Sequence, residues 1–384
     1  MSRVADGLAT AEQYYNDYGL RAKELKNEGK MIVGYLSALV PVEILTAAGV
    51  VPVSLKGTVS EAITRGDAHM ETIVCPFVRN VFDSALKGKY DYLDGLVLPH
   101  LCDSMDRTND IWRESLNLPY YHFLDMPHVT DGPSLDFTKE IFRIFIRSLE
   151  NMTGRKISDA DIEQAIGDHN ENREAMRELY GLRRLDAPLL SGVEMMKVLV
   201  AAMSLPVQES TELIKAVIRE VKERSNGAAP REARIMVIAD QIDDVAIPDI
   251  IESAGAWMVM DDISIGSKRY YSDVDMGANP GEALAERYLR KLKLPTFVDS
   301  GYTYDQSLEP RFGHLKRYIQ DFNVNAVILV VYRYCDPYGF EVPTVKSFVE
   351  SAGAQVLHLE DDYSMTALPR LKTRIEAFLE MISQ

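Results

Sequence analysis

Two separate parts of this 384-residue chain show the same alternation of short apolar runs with amphipathic helical patterns. The apolar runs begin at eight positions, four in each part: Met31, Val50, Gly95 and Tyr120, then Arg234, Trp257, Ala326 and Gln355. Strands that alternate with helices pair in parallel, because each helix carries the chain back to the edge where the next strand begins. The sequence therefore predicts an α/β fold with two similar, doubly wound, flavodoxin- or Rossmann-like domains whose sheets are mostly parallel.

The two parts also share details that indicate an internal duplication. Residues 43–49 (EILTAAG) and 249–255 (DIIESAG) have the same pattern, and each segment lies between two apolar runs. Likewise, Cys102-Asp103 and Cys335-Asp336 each follow an apolar run and precede a helical pattern. Parallel sheets bind ligands at the carboxyl ends of their strands. We therefore expect the two domains to face each other and to bring both Cys-Asp edges to one cleft.

Between the two α/β parts, residues 135–224 have a helical pattern, in which Ser158 is placed to cap a helix. A linker composition begins at Asn226. A separate leading helix is predicted over residues 10–26, before the first apolar run. We predict an N-terminal α/β domain with this leading helix, a helical segment and a C-terminal α/β domain, over residues 1–134, 135–226 and 227–384.

Composition narrows the classes of function. The formal charge of −16 argues against nucleic-acid binding, which depends on basic surface. No apolar run approaches the roughly 20 residues that cross a bilayer, and the first residues lack the apolar core of a signal peptide, so we expect a cytoplasmic protein. The sequence has neither a G-x-G-x-x-G nor a Walker A motif, so no motif indicates a nucleotide redox cofactor or ATP hydrolysis.

The chain has three cysteines, Cys75, Cys102 and Cys335, and each is next to a turn. Three cysteines in a cytoplasmic chain are unsuited to a disulfide framework. They are therefore buried hydrophobic residues, a nucleophile or metal ligands. Three thiolates from two domains suit a soft metal or an iron–sulfur cluster. Two alternatives stay open: a zinc ion completed by His100, and a Cys102 nucleophile with His100 as its base on one strand face.

Three further residues are candidates for ligand contacts. Lys268 and Arg269 lie in the loop after the Trp257 run and are placed to bind phosphate, although a solvated surface turn has the same composition. Ser37 follows the first apolar run, where it is either a helix cap or a substrate contact.

These residues resemble the family of 2-hydroxyacyl-CoA dehydratase subunits and ATP-dependent benzoyl-CoA reductase subunits. The resemblance covers nearly the whole chain and is carried by seven segments: Gly34-Tyr35, Pro41 to Gly49, Arg65-Gly66-Asp67 ahead of Cys75, Tyr92 to Val97, Cys102-Asp103, Asp261-Asp262 and Tyr334 to Pro337. It implies a [4Fe-4S] cluster held by Cys75, Cys102 and Cys335. One departure is Ser264, where relatives often carry a cysteine, so this loop is not counted as a cluster ligand.

The resemblance also implies partners and a reaction. The partners are an acyl-CoA thioester substrate, a homologous second subunit, and an ATP-hydrolysing iron–sulfur activator or electron-delivering subunits that supply single low-potential electrons. The substrate then becomes a ketyl radical, with Lys268 and Arg269 as candidates for binding the CoA phosphates and His100 and Ser37 as catalytic candidates.

The motif His100-x-Cys102-Asp-Ser and the chain length favour a benzoyl-CoA reductase type, which reduces an aromatic acyl-CoA to a dienoyl-CoA. The first alternative is an (R)-2-hydroxyacyl-CoA dehydratase subunit that forms an enoyl-CoA. The second is a non-catalytic subunit that acts as a scaffold or relays electrons.

Overall fold

The computed structural model describes residues 6–224 and 231–382. Within these ranges it has eight strands: β1 Ile32–Tyr35, β2 Val51–Ser54, β3 Gly95–Pro99, β4 Tyr120–Leu124, β5 Arg234–Ile238, β6 Trp257–Asp262, β7 Ala326–Tyr332 and β8 Gln355–Asp361. The α-helices of the same ranges are α1 Gly7–Asn16, α2 Leu20–Asn27, α3 Val42–Ala47, α4 Pro76–Leu86, α5 Asp103–Ser115, α6 Gly132–Thr153, α7 Asp159–Gly181, α8 Gly192–Ala202, α9 Val207–Lys222, α10 Ala246–Ser253, α11 Ser267–Tyr270, α12 Pro280–Glu286, α13 Tyr304–Asp321, α14 Asp336–Ser351 and α15 Leu368–Ile382. Residues 226–230 of the predicted linker lie outside the described residues.

The strands form two four-stranded sheets, and every strand pair in them is parallel. The first sheet has the order β2-β1-β3-β4, and the second has the same order, β6-β5-β7-β8. The predicted α/β fold with two similar parallel sheets is therefore confirmed. In the first sheet the chain adds β2 on one side of β1 and then β3 and β4 on the other side, and the second sheet repeats this around β5. The gap between β1 and β3, like that between β5 and β7, is therefore a topological switch point, where such folds bind ligands.

The predicted leading helix is wrong as a single element. It is two helices, α1 and α2, separated by a break at residues 17–19. The break lets the two helices pack against different sheets: Ala11 of α1 is in one hydrophobic core, whereas Ala22 of α2 is in the other. At the break, Gly19 lies so close to the Tyr92 ring that a Cβ would be 3.1 Å from it. Local pattern predicted the helical residues but could not show this tertiary contact.

Each sheet lies in its own hydrophobic core, and the chain exchanges segments between the cores. The first core, around β1–β4, includes Leu284 of α12 and Tyr288, which come from the C-terminal half of the chain. The second core, around β5–β8, includes α1 together with most of α8 and α9. Segments on either side of the predicted boundaries at residues 134 and 226 thus pack into each other's cores.

Helix termini follow the sequence where capping residues are present. Ser158 caps α7 as predicted, and its side chain and that of Asp161 form a reciprocal capping box. Asp131 accepts a hydrogen bond from the backbone N–H of Ser134 at the start of α6, and Gly154 ends that helix in the left-handed conformation. Over the described residues, no helix is both long and apolar enough to cross a membrane.

Candidate metal centre

The switch points of the two sheets open into one cavity. Four of its lining residues occupy matching positions in the duplicated sheets. Ser37 and Asp240 each lie two residues beyond the first strand of their sheet, and Cys102 and Cys335 each lie three residues beyond the third strand. Cys75 lines the same cavity from the start of α4. The structure therefore brings all three cysteines to one cavity, and for Cys102 and Cys335 this is the convergence that the duplication predicts.

Each of the three cysteines occupies the residue immediately before a helix. Cys75 precedes α4, Cys102 precedes α5 and Cys335 precedes α14. The first backbone N–H groups of a helix have no partner within that helix, and its N-terminus carries a partial positive charge. Three helix N-termini that converge on one cavity therefore favour negative charge there.

Backbone N–H groups from the first turn of each helix favour the thiolate form of its cysteine. They belong to Val78 for Cys75, Met105 for Cys102 and Tyr338 for Cys335, and each lowers the thiol pKa. Burial acts in the opposite direction and has the larger effect.

Burial is the main cause that raises the pKa of Cys75 to about 12 and that of Cys102 to about 11, and it raises the pKa of Cys335 still further. The Asp240 carboxylate contributes to the raised pKa values of Cys102 and Cys335. All three thiols are therefore protonated at neutral pH when no cation is bound. Thiolates at this place need positive charge from a metal centre, because only the thiolate is a metal ligand.

The arrangement of the three cysteines bears on the choice between a single metal ion and a cluster. Within residues 6–224 and 231–382, no three His, Cys, Asp or Glu side chains are close enough together to hold one ion. In an iron–sulfur cluster each cysteine binds a different iron atom, so the thiolates stand farther apart than around one ion. The cavity wall between the cysteines is largely apolar, with Leu36, Phe77 and Leu294 among its residues. The donor set of three cysteines and the three helix N-termini fit a [4Fe-4S] cluster held by these cysteines.

His100 lies outside the residues that line this cavity. Strand β3 ends at Pro99, and Cys102 already begins α5, so the two-residue spacing does not put His100 and Cys102 on one strand face as predicted. The His100 Nδ1 atom is 3.0 Å from a carboxylate oxygen of Asp125, and its ring packs against that of His128 at 5.2 Å. A zinc ion completed by His100 therefore has no support in this geometry.

Ser37 lines the cavity in a strained conformation, with a positive φ of 75°. Its Oγ accepts a hydrogen bond from the backbone N–H of Leu39 at 3.2 Å. The residue that caps α3 is Pro41, so Ser37 is not a helix cap. Of its two predicted roles, the geometry leaves that of a ligand contact.

Lys268 and Arg269 do not line the cysteine cavity. Lys268 is buried in an ion pair with the Asp262 carboxylate, so it is neither a free phosphate ligand nor part of a solvated turn. Arg269 donates a hydrogen bond to the Tyr35 hydroxyl and lines a different cavity. The same loop instead contributes Ser264 to the cysteine cavity, where its hydroxyl donates to Asp240 Oδ1 at 2.8 Å.

Sequence reasoning missed several polar residues of the cavity, among them Asp240 and Thr296. Asp240 is the counterpart of Ser37 in the second sheet, so the duplication carried a signal for it. Thr296 has a buried hydroxyl that finds no hydrogen-bond partner within residues 6–224 and 231–382, and it comes from the segment after α12 that joins the first core. No local pattern at Thr296 indicates the cavity, because its place depends on the exchange of segments.

The fold and the cavity define a class: a duplicated α/β protein with a thiol-lined site at the facing switch points of its sheets. Comparison with known proteins gives the family. The family model described as "2-hydroxyglutaryl-CoA dehydratase, D-component" matches residues 37–382. The chain belongs to this family, and the resemblance stated from the sequence is confirmed.

Curated relatives are named as subunits of two kinds of enzyme. The chain is 22% identical to the (R)-phenyllactyl-CoA dehydratase beta subunit of Clostridium sporogenes, over 98% of this chain and 100% of the relative. It is 23% identical to the lactoyl-CoA dehydratase subunit beta of Anaerotignum propionicum, over 100% of this chain and 98% of the relative. It is 25% identical to a benzoyl-CoA reductase subunit of Thauera aromatica, over 88% of each chain. The chain is therefore an enzyme subunit.

Proposed function

We propose that this chain holds a [4Fe-4S] cluster in a heteromeric enzyme that acts on an acyl-CoA thioester. The observation that carries the proposal is the convergence of Cys75, Cys102 and Cys335 on one cavity, each at a helix N-terminus. Such a cluster supplies one-electron transfer when bound. The remaining tasks, which are to position the thioester, exclude water and supply protons, belong to the side chains around the cysteines.

Three polar side chains of the cavity suit these tasks. The Ser37 hydroxyl accepts its hydrogen bond from Leu39, so its own proton is free to be donated to a thioester carbonyl. Burial raises the pKa of Asp240, so this carboxyl group can hold a proton beside the cysteines. Ser264 orients Asp240 through its hydrogen bond. His100 faces Asp125 instead, and we propose no role for it at the cavity.

For the reaction, we propose an (R)-2-hydroxyacyl-CoA dehydratase. The family model bears a dehydratase description, and two dehydratase beta subunits align with this chain over nearly their whole length. The benzoyl-CoA reductase type, which the sequence motif favours, is the second candidate, supported by 25% identity to a reductase subunit. The relatives' names as subunits support a homologous second subunit, and an ATP-hydrolysing electron donor belongs to the same proposal.

Product analysis tests the proposal. The chain is co-purified without oxygen together with its second subunit and electron donor, and is supplied with either a 2-hydroxyacyl-CoA or benzoyl-CoA. An enoyl-CoA product supports the dehydratase, whereas a cyclic dienoyl-CoA overturns it in favour of the reductase.

A Cys102→Ser variant tests the catalytic role of the cysteine site in the same assay. We expect turnover to be lost, because a serine hydroxyl is a poor iron ligand. Ser115→Ala, on the exposed end of the helix that Cys102 begins, is the matched control and should retain activity. Full turnover by the Cys102 variant would instead indicate a scaffold subunit.

A further inference from the structure

A second cavity is lined by three arginines: Arg173, Arg269 and Arg287. They come from α7, from α11 and from the helical turn after α12. This cavity shares the loop after β1 with the cysteine cavity, since Tyr35 and Ala38 line the second cavity and Leu36 and Ser37 line the first. The tasks assigned above to the cysteine cavity use none of these three arginines, although Arg269 is a candidate from the sequence for binding the CoA phosphates. Where the inference below names coenzyme A, it rests on the proposed function.

The second cavity has a surplus of positive charge. Within the described ranges, Glu43 is the one carboxylate at ion-pair distance from any of the three arginines, and it pairs with Arg173. Arg287 donates to two backbone carbonyls, of Ser272 at 3.1 Å and of Arg269 at 2.7 Å. Three guanidinium groups thus face one carboxylate, which leaves two positive charges in excess.

The hydrogen bonding of Arg269 is incomplete. It donates from one terminal nitrogen to the Tyr35 hydroxyl, and its Nε is shut off from solvent and has no hydrogen-bond partner among the residues that the structure describes. A buried donor that is left unpaired is costly, and so is an unpaired buried charge. An anion in the cavity would relieve both costs.

Nearby groups do not neutralise the surplus. Arg177 is paired with Asp273 at 2.7 Å, so these two residues cancel each other. Burial lowers the pKa of His169 to about 3, so this ring is neutral and neither adds nor removes charge. Burial, together with the neighbouring Arg173 cation, lowers the pKa of Arg287 to about 10. This guanidinium group is therefore held among like charges that an anion would offset.

We propose that the second cavity binds a phosphomonoester dianion. Its two negative charges match the two uncompensated guanidinium groups, and the planar guanidinium fork binds phosphate oxygens in pairs. The rest of the wall is partly apolar, with Val40, Pro52 and Leu205 among its residues, and an apolar wall of this kind suits contact with an organic substituent on the phosphate. The phosphate belongs either to the 3′-phosphate of coenzyme A or to a separate small organic phosphate.

Isothermal titration calorimetry on the full chain, purified without oxygen, tests this proposal. The probes are inorganic phosphate, coenzyme A, dephospho-coenzyme A and succinate. We expect inorganic phosphate to bind and succinate to bind more weakly. Coenzyme A that binds better than dephospho-coenzyme A identifies the 3′-phosphate as the source, and binding of inorganic phosphate with no such preference identifies a separate small phosphate. Failure of both inorganic phosphate and coenzyme A to bind, or succinate binding as tightly as phosphate, would overturn the proposal.

Two variants assign the binding to the cavity. Arg269→Gln should weaken phosphate binding about tenfold or more, because it removes one charge and the unpaired donor, and Arg269→Lys, which keeps the charge, should weaken it less. Arg184→Gln is the matched control, since Arg184 is exposed and pairs with Asp321 outside the cavity. Unchanged phosphate affinity in Arg269→Gln would refute the assignment. Because phosphate binding needs no iron, the result is independent of the cluster.

Discussion

Replacing Glu43 with glutamine should strongly destabilise the protein. The Glu43 side chain is fully buried, pairs with Arg173 and accepts a hydrogen bond from the Tyr288 hydroxyl at 2.7 Å. Burial alone would raise the pKa of Glu43, but the cations Arg173 and Arg287 outweigh it and hold the pKa well below its usual range. The variant leaves three buried guanidinium groups without a carboxylate, and breaking a buried ion pair in this way costs about 3–5 kcal/mol.

Urea denaturation, followed by the intrinsic fluorescence of the two buried tryptophans, Trp112 in the same core and Trp257 in the other, measures this loss. For a slope of about 3 kcal/mol per molar urea, the midpoint should fall by roughly 1–1.7 M. Glu24→Gln is the control, because Glu24 is half exposed and its pair with Arg21 is on the surface, so its effect should stay within about 1 kcal/mol. A loss in Glu43→Gln no larger than in this control would refute the reasoning.

The same variant has a predicted pH dependence. Because the pKa of Glu43 is lowered in the folded protein, its stabilising effect is fully present above the unfolded value of 4.5 and is lost as the pH falls towards the folded value. The difference in stability between the wild-type protein and Glu43→Gln should therefore be constant at neutral pH and should narrow below about pH 4.5. A difference that widens in acid would contradict the assigned charge of Glu43.

Three further predictions concern other parts of the molecule. Ser158→Ala removes the capping box of α7 and should lower the free energy of unfolding by about 1 kcal/mol in urea denaturation. Gly7→Ala should cost about 1–3 kcal/mol, because a Cβ at Gly7 would be 2.5 Å from the backbone nitrogen of Val217 and would push α1 away from α9. Ser264→Ala should leave the iron content unchanged, because Ser264 contacts Asp240 and is not a cluster ligand, so a loss of iron measured by colorimetry would contradict its assigned role.

Features encoded in local pattern were predictable from the sequence. The strands and the order of elements follow from the apolar runs and from the helical period of the segments between them. The convergence of Cys102 and Cys335 follows from the duplication, because parallel sheets put the carboxyl ends of their strands at one edge. Cys75 also lies in the cavity, although it follows no strand of either sheet.

Features that depend on distant contacts were not predictable. Lys268 and Arg269 have the composition of a surface turn, and only the buried partners Asp262 and Tyr35 distinguish them from one. The break between α1 and α2, and the place of Thr296 in the cavity, depend on which core each segment joins. Periodicity describes one element at a time, so it carries no information about such pairings.

The most direct test of the central claim is the iron and acid-labile sulfide content of protein purified without oxygen. We predict about four irons and four sulfides per chain, and loss of both in Cys75→Ser, Cys102→Ser and Cys335→Ser, since each cysteine holds a different iron. Full-length folded protein that contains no iron, or that keeps its full content after replacement of any one of these cysteines, would contradict the account.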